Sequence, residues 1–496
     1  MNMNLWIVDA DISHMQTAME SGAVKSEQLV QAYIERIKSY NGTINAVLEL
    51  NPEAMQIARD LDIEREDKGS RGKLHGIPIL LKDNIDTHDR MHTSAGSIAL
   101  ENSIAVHDSF VAAQLRKAGA VLLGKTNMTE WSNFMHSQMP AGYSSRGGLV
   151  VNPYGPDELF VSGSSSGSAA AVAADMAAAA IGTETAGSII GPASQHALVG
   201  VKPTVGLVSR SGIIPISVSQ DTPGPIAKTV TDAAIILGAL TGIDEWDAAT
   251  SRSEGHFYND YTSFLDEESL TKAKIGIPRH YYKHLDAERL AIMEDAIQTL
   301  KDAGVTIVDS VSLHVEHLPW NNDVICYEFK KGLNQYLSGL HPSVPVHSLE
   351  ELIAFNEAHA DVALKYGQDT LEFAQSNNLT EMTYLEKRKK YNELALTKGI
   401  DDALDRFKLD ALLLPGDVDG MYVAARLGYP LVTVPAGYVE KGIVDSDGDS
   451  TKGPFGVVFS GKAFSEPTLI ALAYGYEQAT KHRSPPKLNG MIGVEQ

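Results

Sequence analysis

A chain of 496 residues, 43% of them hydrophobic and 21% charged, has the make-up of a globular protein with room for roughly two to four ordinary domains. A net charge of −22 without any Lys/Arg stripe argues against a nucleic-acid binder, and a single cysteine, Cys326, excludes an intrachain disulfide framework. The first ten residues lack the basic and apolar regions of a secretory signal, and the most apolar stretch, 168–181, carries Asp175 and falls short of the ~20 residues of a membrane span. The expected setting is therefore cytoplasmic, with neither membrane nor nucleic acid as partner.

In chain order, Leu29, Tyr33, Ile34 and Ile37 recur at helical spacing, so 25–40 is an expected amphipathic helix with Ser26 as N-cap. A second helical pattern covers 51–66. The β-rich run 77–81 predicts a strand, 110–118 a helix, and 121–123 a strand ending in a turn at Gly124. Residues 140–165 are rich in Gly, Ser and Pro. They do not behave as a linker, because an Ala/Val helix that must be buried, 168 to about 180, follows at once. A Gly/Ser turn feeding a packed helix suits close backbone approach and presented hydroxyls.

From about 245 to 410 the chain is richer in Glu, Lys, His and Tyr and is largely helical by periodicity, clearest at 286–303 and 349–365, with strands at 273–277 and 305–312. Strand patterns return at 411–414, 431–435 and 457–459, and a helix at 467–480 closes the series. This alternation predicts an α/β fold, one core completed by the C-terminal segment around a more variable helical insertion.

Three residues carry the chemistry. Lys82 closes the apolar run Gly76-Ile-Pro-Ile-Leu-Leu-Lys82, Ser164 opens Gly163-Ser-Ser-Ser-Gly167, and Ser188 follows Thr183-Glu-Thr-Ala-Gly187. A serine hydroxyl is a weak nucleophile until a base takes its proton. Lysine serves as that base only when neutral, and apolar burial favours the neutral amine. Taken alone, Lys82 is a surface lysine at a strand end; beside the two serines it predicts a Ser188 nucleophile relayed through Ser164 to Lys82. The out-and-back path between 164 and 188 brings the hydroxyls together, and the small residues Thr185, Ala186, Gly187 and Ser188 permit a tight backbone whose N–H groups form an oxyanion hole. A phosphate cradle is the alternative for either Gly/Ser stretch, but Gly167-Ser-Ala-Ala lacks the Gly-Lys-Ser/Thr that such a loop needs.

Other clusters point away from function. His88 and His92 can share a helix face but lack a third ligand. Asp445-Ser-Asp-Gly-Asp449 lacks the glycine and glutamate of a calcium loop, so a solvated loop is expected. Cys326 is expected to be a small buried apolar residue. No metal and no cofactor are expected.

Several long motifs resemble the amidase signature family: Gly76-Ile-Pro-Ile-Leu-Leu-Lys-Asp-Asn-Ile-Asp-Thr87, Gly124-Lys-Thr-Asn-Met128, Gly163-Ser-Ser-Ser-Gly-Ser-Ala-Ala-Ala171, Gly182-Thr-Glu-Thr-Ala-Gly-Ser-Ile189 and Gly200-Val-Lys-Pro-Thr-Val-Gly-Leu-Val-Ser209. Gly428-Tyr-Pro-Leu-Val-Thr-Val-Pro-Ala-Gly437 and Phe464-Ser-Glu-Pro467 continue the likeness. The resemblance implies one domain over 1–496, with core 25–235 and 410–484 and a variable helical region about 245–410. The implied fold is a twisted mixed β-sheet with helices on both faces. It implies a Ser–cisSer–Lys set of Ser188, Ser164 and Lys82, with Asn127, Met128, Ser165, Thr183 and Ile190 as supporting or substrate-binding positions. It allows a homodimer.

Within that family the chain looks most like the peptide-amidase and general-amidase branch, through Ser144-Ser-Arg-Gly-Gly148, Asn152-Pro-Tyr154 and Gly212-Ile-Ile-Pro-Ile-Ser217 followed by Gln220-Asp-Thr222. Many members carry an arginine where Ile190 stands, so small acidic amides are disfavoured. Peptide amidases tend to carry aspartate where Ala186 stands. The implied activity is hydrolysis of a small-molecule or peptide amide through an acyl-enzyme. The alternative is the glutamine-hydrolysing subunit of a tRNA-dependent amidotransferase.

Overall fold

The computed structural model describes residues 2–156, 158–315, 321–416, 419–445 and 448–488. Its strands, in chain order, are β1 (Val47–Leu50), β2 (Pro78–Lys82), β3 (Val121–Thr126), β4 (Tyr143–Ser144), β5 (Gly148–Leu149), β6 (Ala179–Glu184), β7 (Val199–Lys202), β8 (Thr222–Ala227), β9 (Lys274–Ile277), β10 (Thr306–Asp309), β11 (Ala411–Pro415), β12 (Leu431–Val439) and β13 (Gly453–Ser460). Eleven form one sheet in the order β1-β3-β2-β6-β8-β7-β12-β13-β11-β9-β10, and β4 and β5 pair separately. The sheet is mixed: β2 runs parallel to β3 and β6, whereas β6, β8, β7, β12 and β13 are antiparallel in turn. Strands 2, 3, 6, 7 and 11 are buried along their whole length, as expected where helices cover a sheet.

The Ala/Val run departs from the expected single helix. The helix spans Ser166–Ala173, Asp175 adopts a left-handed φ of 55°, and the following alanines enter β6. Alanine favours helix, but here pairing to β2 on one side and β8 on the other outweighs that local preference. Gly124 is likewise no turn. It lies inside β3, where a Cβ would sit 2.3 Å from the Glu49 carbonyl of β1, so the close strand approach requires glycine.

Ser26 is not the N-cap but the first residue of the helix Ser26–Ile44. Its hydroxyl donates to the Gly76 carbonyl (2.8 Å), while the Asp62 carboxylate accepts from the Ser26 and Glu27 N–H groups (2.7 and 3.0 Å). The 51–66 pattern appears as Ala54–Lys68, and 349–365 breaks at His359 into Leu349–Ala358 and Ala360–Ala363. The middle region is largely helical as read, with Ala287–Asp302, Asp323–Ser338, Asp369–Gln375, Glu381–Lys398 and Ile400–Phe407.

Among the described residues two hydrophobic clusters result. The larger follows the sheet. The smaller joins Met128, Trp131, Met135, Ile214 and Ile216 to Phe329, Leu333, Leu337 and Leu352 of the helical region. Cys326 belongs to it, and burial pushes its thiol up to about 11. No described helix is long and apolar enough to cross a membrane.

Candidate active site

Lys82 ends β2, between two parallel neighbours, with its side chain wholly buried. Nζ lies 2.8 Å from Ser164 Oγ, 3.0 Å from Thr183 Oγ1 and 3.2 Å from the Thr183 carbonyl. Burial lowers its pKa from 10.5 to about 7, with Asp221 and Glu184 opposing the fall. Desolvation wins because neither carboxylate contacts the amine directly among the hydrogen bonds that Nζ makes.

The serine-rich turn enters the site from the other side. The Gly163–Ser164 peptide bond is cis, and the Ser164 carbonyl accepts from Thr129 N–H (3.1 Å). Ser165 links the segments: its N–H donates to the Ser188 carbonyl (3.1 Å) and its hydroxyl to the Thr183 carbonyl (3.1 Å), while Thr183 N–H donates back to that hydroxyl (3.2 Å). Lys82, Ser164, Ser165, Thr183 and Ser188 thus meet at one place, at the ends of β2 and β6.

Ser188 follows Gly187, whose φ of 83° favours glycine, and is 8% exposed. Among the described residues, no partner takes its hydroxyl proton or the N–H groups of Ala186, Gly187 and Ser188. Both flanks of this loop are anchored. Glu184 accepts from the Ile189 and Ile190 N–H groups (2.7 and 3.0 Å), at the start of the helix Ile190–Gln195. Thr185 Oγ1 donates to Asp221 (2.6 Å), and Gln220 donates to the Thr185 carbonyl (3.2 Å). Asp221 also accepts from Ile216 and Ser217 N–H groups; burial raises its pKa to about 6 against those three hydrogen bonds and the charge of Arg210.

The remaining sequence-derived positions sit further back. Asn127 is a structural hub: its N–H donates to the Ala46 carbonyl, its carbonyl accepts from Gly167, and its amide oxygen accepts from Ser144 (2.8 Å). Met128 and Ile190 are fully buried, one in each hydrophobic cluster. His88 and His92 lie on a loop, not a helix; His92 pairs with Glu49 (2.9 Å) and His88 faces the Ala105 carbonyl (3.1 Å). No group of three or more His, Cys, Asp or Glu among the described residues can hold a metal ion. Within 445–449, residues 446–447 lie outside the described residues.

Two residues had no role in the sequence reading. Asn84 donates to Thr183 Oγ1 (3.0 Å), and Asp221 holds Thr185. Asp221 stood within Gln220-Asp-Thr222, but only the fold shows that it faces Thr185. Beside the site runs a cleft walled by Thr183, Thr185, Ser132, Ile214, Ile216 and Asp221. The guanidinium lining it, Arg210, is already paired with both oxygens of Asp247 (2.7 and 2.5 Å).

A family model described as Amidase matches residues 28–470. A "Probable amidase" of Arabidopsis thaliana is 39% identical over 495 residues, covering 97% of this chain and 92% of its own. The native peptide amidase of Stenotrophomonas maltophilia superposes with a TM-score of 0.87 at 42% identity, over 97% of this chain and 98% of that one. An amidase family protein of Bacillus anthracis gives 0.91 at 40% identity, over 98% and 94%.

Proposed function

Because the chain belongs to the amidase signature family and is an amidohydrolase, we propose that it acts alone on an uncharged carboxylic acid amide by serine acyl transfer. Ser188 attacks the amide carbon while Ser164 passes the proton on to Lys82. The N–H groups along Thr185, Ala186, Gly187 and Ser188 receive the developing oxyanion. The proton then returns through Ser164 to the leaving nitrogen, and ammonia or an amine departs. Water, deprotonated by the same relay, attacks the acyl-enzyme and releases the acid.

The observation that carries this reading is a buried lysine that titrates near neutrality 2.8 Å from a serine hydroxyl. In its neutral form Nζ keeps two N–H bonds for the Thr183 oxygens and offers its lone pair to the Ser164 O–H. The loop N–H groups without protein partners are the donors that an oxyanion needs.

The cleft favours neutral acyl groups. Ile190 replaces the cation that would meet a substrate carboxylate, and Arg210 is neutralised by Asp247. Both features weigh against glutamine and hence against an amidotransferase subunit. The likeness to a peptide amidase supports C-terminal peptide amides, with primary and aryl amides as the wider class.

The test is release of ammonia or amine from a panel of such amides, wild type beside Ser188→Ala, with fluorophosphonate labelling. Turnover and labelling lost together in Ser188→Ala are expected. Full turnover by Ser188→Ala sinks the proposal, and release from glutamine alone transfers it to the amidotransferase reading.

A further inference from the structure

A line of hydrogen bonds runs from the helical region to the loop 185–188. Glu328, in the helix Asp323–Ser338, is 3% exposed. One of its oxygens accepts from the hydroxyls of Ser217 and Ser219 (2.8 Å for Ser219) and from Ser219 N–H (3.2 Å). The other accepts from Tyr384 (2.7 Å) and Arg388 (3.2 Å), both in the helix Glu381–Lys398. Ser217 N–H donates in turn to Asp221 (2.7 Å), whose second oxygen accepts from Thr185 (2.6 Å). Every joint from Tyr384 to Thr185 is therefore a bond to a carboxylate, Glu328 buried and Asp221 half-buried.

Such joints are stiff for a physical reason. Bonds to an ionised acceptor are about twice as strong as neutral ones, and a buried carboxylate that loses donors is left unsatisfied. Five donors converge on Glu328, so it fixes the segment 217–219 against two helices at once. That segment continues into Ile216 and Ile214, which wall the cleft.

We propose that Glu328 is a positioning residue for acyl transfer: through Ser217 and Asp221 it holds Thr185, and with it the oxyanion loop, in the geometry that the transition state requires. The helical region, which supplies no reacting group, thereby sets the turnover number. This rests on the reading of 185–188 as the oxyanion hole. Displacing preorganised donors by a fraction of an ångström lowers kcat with little effect on ground-state binding.

A double-mutant cycle tests it, with kcat normalised to active sites titrated by fluorophosphonate. Glu328→Gln and Thr185→Val are each expected to lower kcat roughly tenfold with KM changed less than about threefold. The double variant is expected to fall no further than the worse single one, since both cut the same line. Additive losses, roughly a hundredfold in the double variant, overturn the proposal, as does a wild-type kcat per titrated site in Glu328→Gln. If Glu328→Gln folds poorly, Ser219→Ala, which removes one hydroxyl donor, replaces it in the same cycle. Full turnover by Ser188→Ala would sink the oxyanion reading itself; additive losses in an enzyme still labelled at Ser188 sink this inference alone.

Discussion

Replacing Lys82 with methionine isolates what the buried amine costs the fold. In the unfolded chain a lysine holds its proton up to about pH 10.5; in the folded protein Lys82 gives it up at about 7. Below pH 7 both states are charged and the full desolvation penalty stands. Between 7 and 10.5 the unfolded state binds the extra proton, so wild-type stability rises with pH through that window. At ~1.4 kcal/mol for each pH step, the penalty relieved is roughly 5 kcal/mol. Methionine carries no such penalty, but it removes the three hydrogen bonds that Nζ makes with Ser164 Oγ and the two Thr183 oxygens, about 1 kcal/mol each at every pH. Unfolding entropy for 496 residues is on the order of 1 kcal/mol/K, so 1 kcal/mol moves Tm by about 1 °C. Lys82→Met is therefore expected to melt about 2 °C above wild type at pH 7 and about 3 °C below it at pH 10.5. Scanning calorimetry of both proteins across that range reads the difference, in which all other titrating groups cancel. A difference that stays flat from pH 7 to 10.5 would show that Lys82 titrates alike folded and unfolded, and the neutral-lysine mechanism would lose its basis.

Three further outcomes follow from the same geometry. kcat/KM should fall as pH drops below about 7, where Lys82 takes up a proton; Asp221→Asn removes the foremost charge holding that proton, so the acid limb should move to lower pH, and a limb that stays put contradicts the assignment. Gly167→Ala would drive a Cβ to 2.3 Å from the Asn127 carbonyl and 2.4 Å from that of Ala46, backbone that cannot swing aside, so Tm should fall by about 3 °C; an unchanged melting curve refutes the packing argument. Lys228→Met takes from Asp175 its buried partner at 2.9 Å and leaves the carboxylate to Arg36 at 3.8 Å and the Asp9 N–H at 3.0 Å, so it should cost about 1–3 kcal/mol, with Asp175→Asn in the same chain recovering part of it; no recovery in the thermal melt would show that the pair does not act as a unit.

The chemistry-bearing residues were legible because each stands in a local pattern. An apolar β-run ending in lysine and a Gly/Ser turn before a buried helix need no distant information, and β2 runs one residue beyond the strand read from it. The alanine run was not legible in the same way. Ala179 and Ala180 carry a helical preference, and only their place between β2 and β8 turns them into strand. Gly124 misled for the mirror reason: glycine signals a turn locally, whereas here it admits the Glu49 carbonyl. Asp221 and Glu328 act across 36 and 111 residues, on Thr185 and Ser217, and no spacing within either segment announces such a bond. The buried positions of Met128 and Ile190 were invisible too, since a motif position does not say which way a side chain packs.

The strand order also sets the timing of biosynthesis. β7 finds its second neighbour only in β12, where Lys202 pairs with Leu431. At about 5–20 residues per second, the ribosome needs roughly 10–45 s to make the chain between them. For that interval the nascent sheet carries an unpaired edge of apolar residues, Val199 and Val201 among them, while the helical insertion is still being made. Yield of active enzyme should therefore depend on how fast residues beyond 431 emerge and on holdase chaperones that cover a strand edge in the meantime.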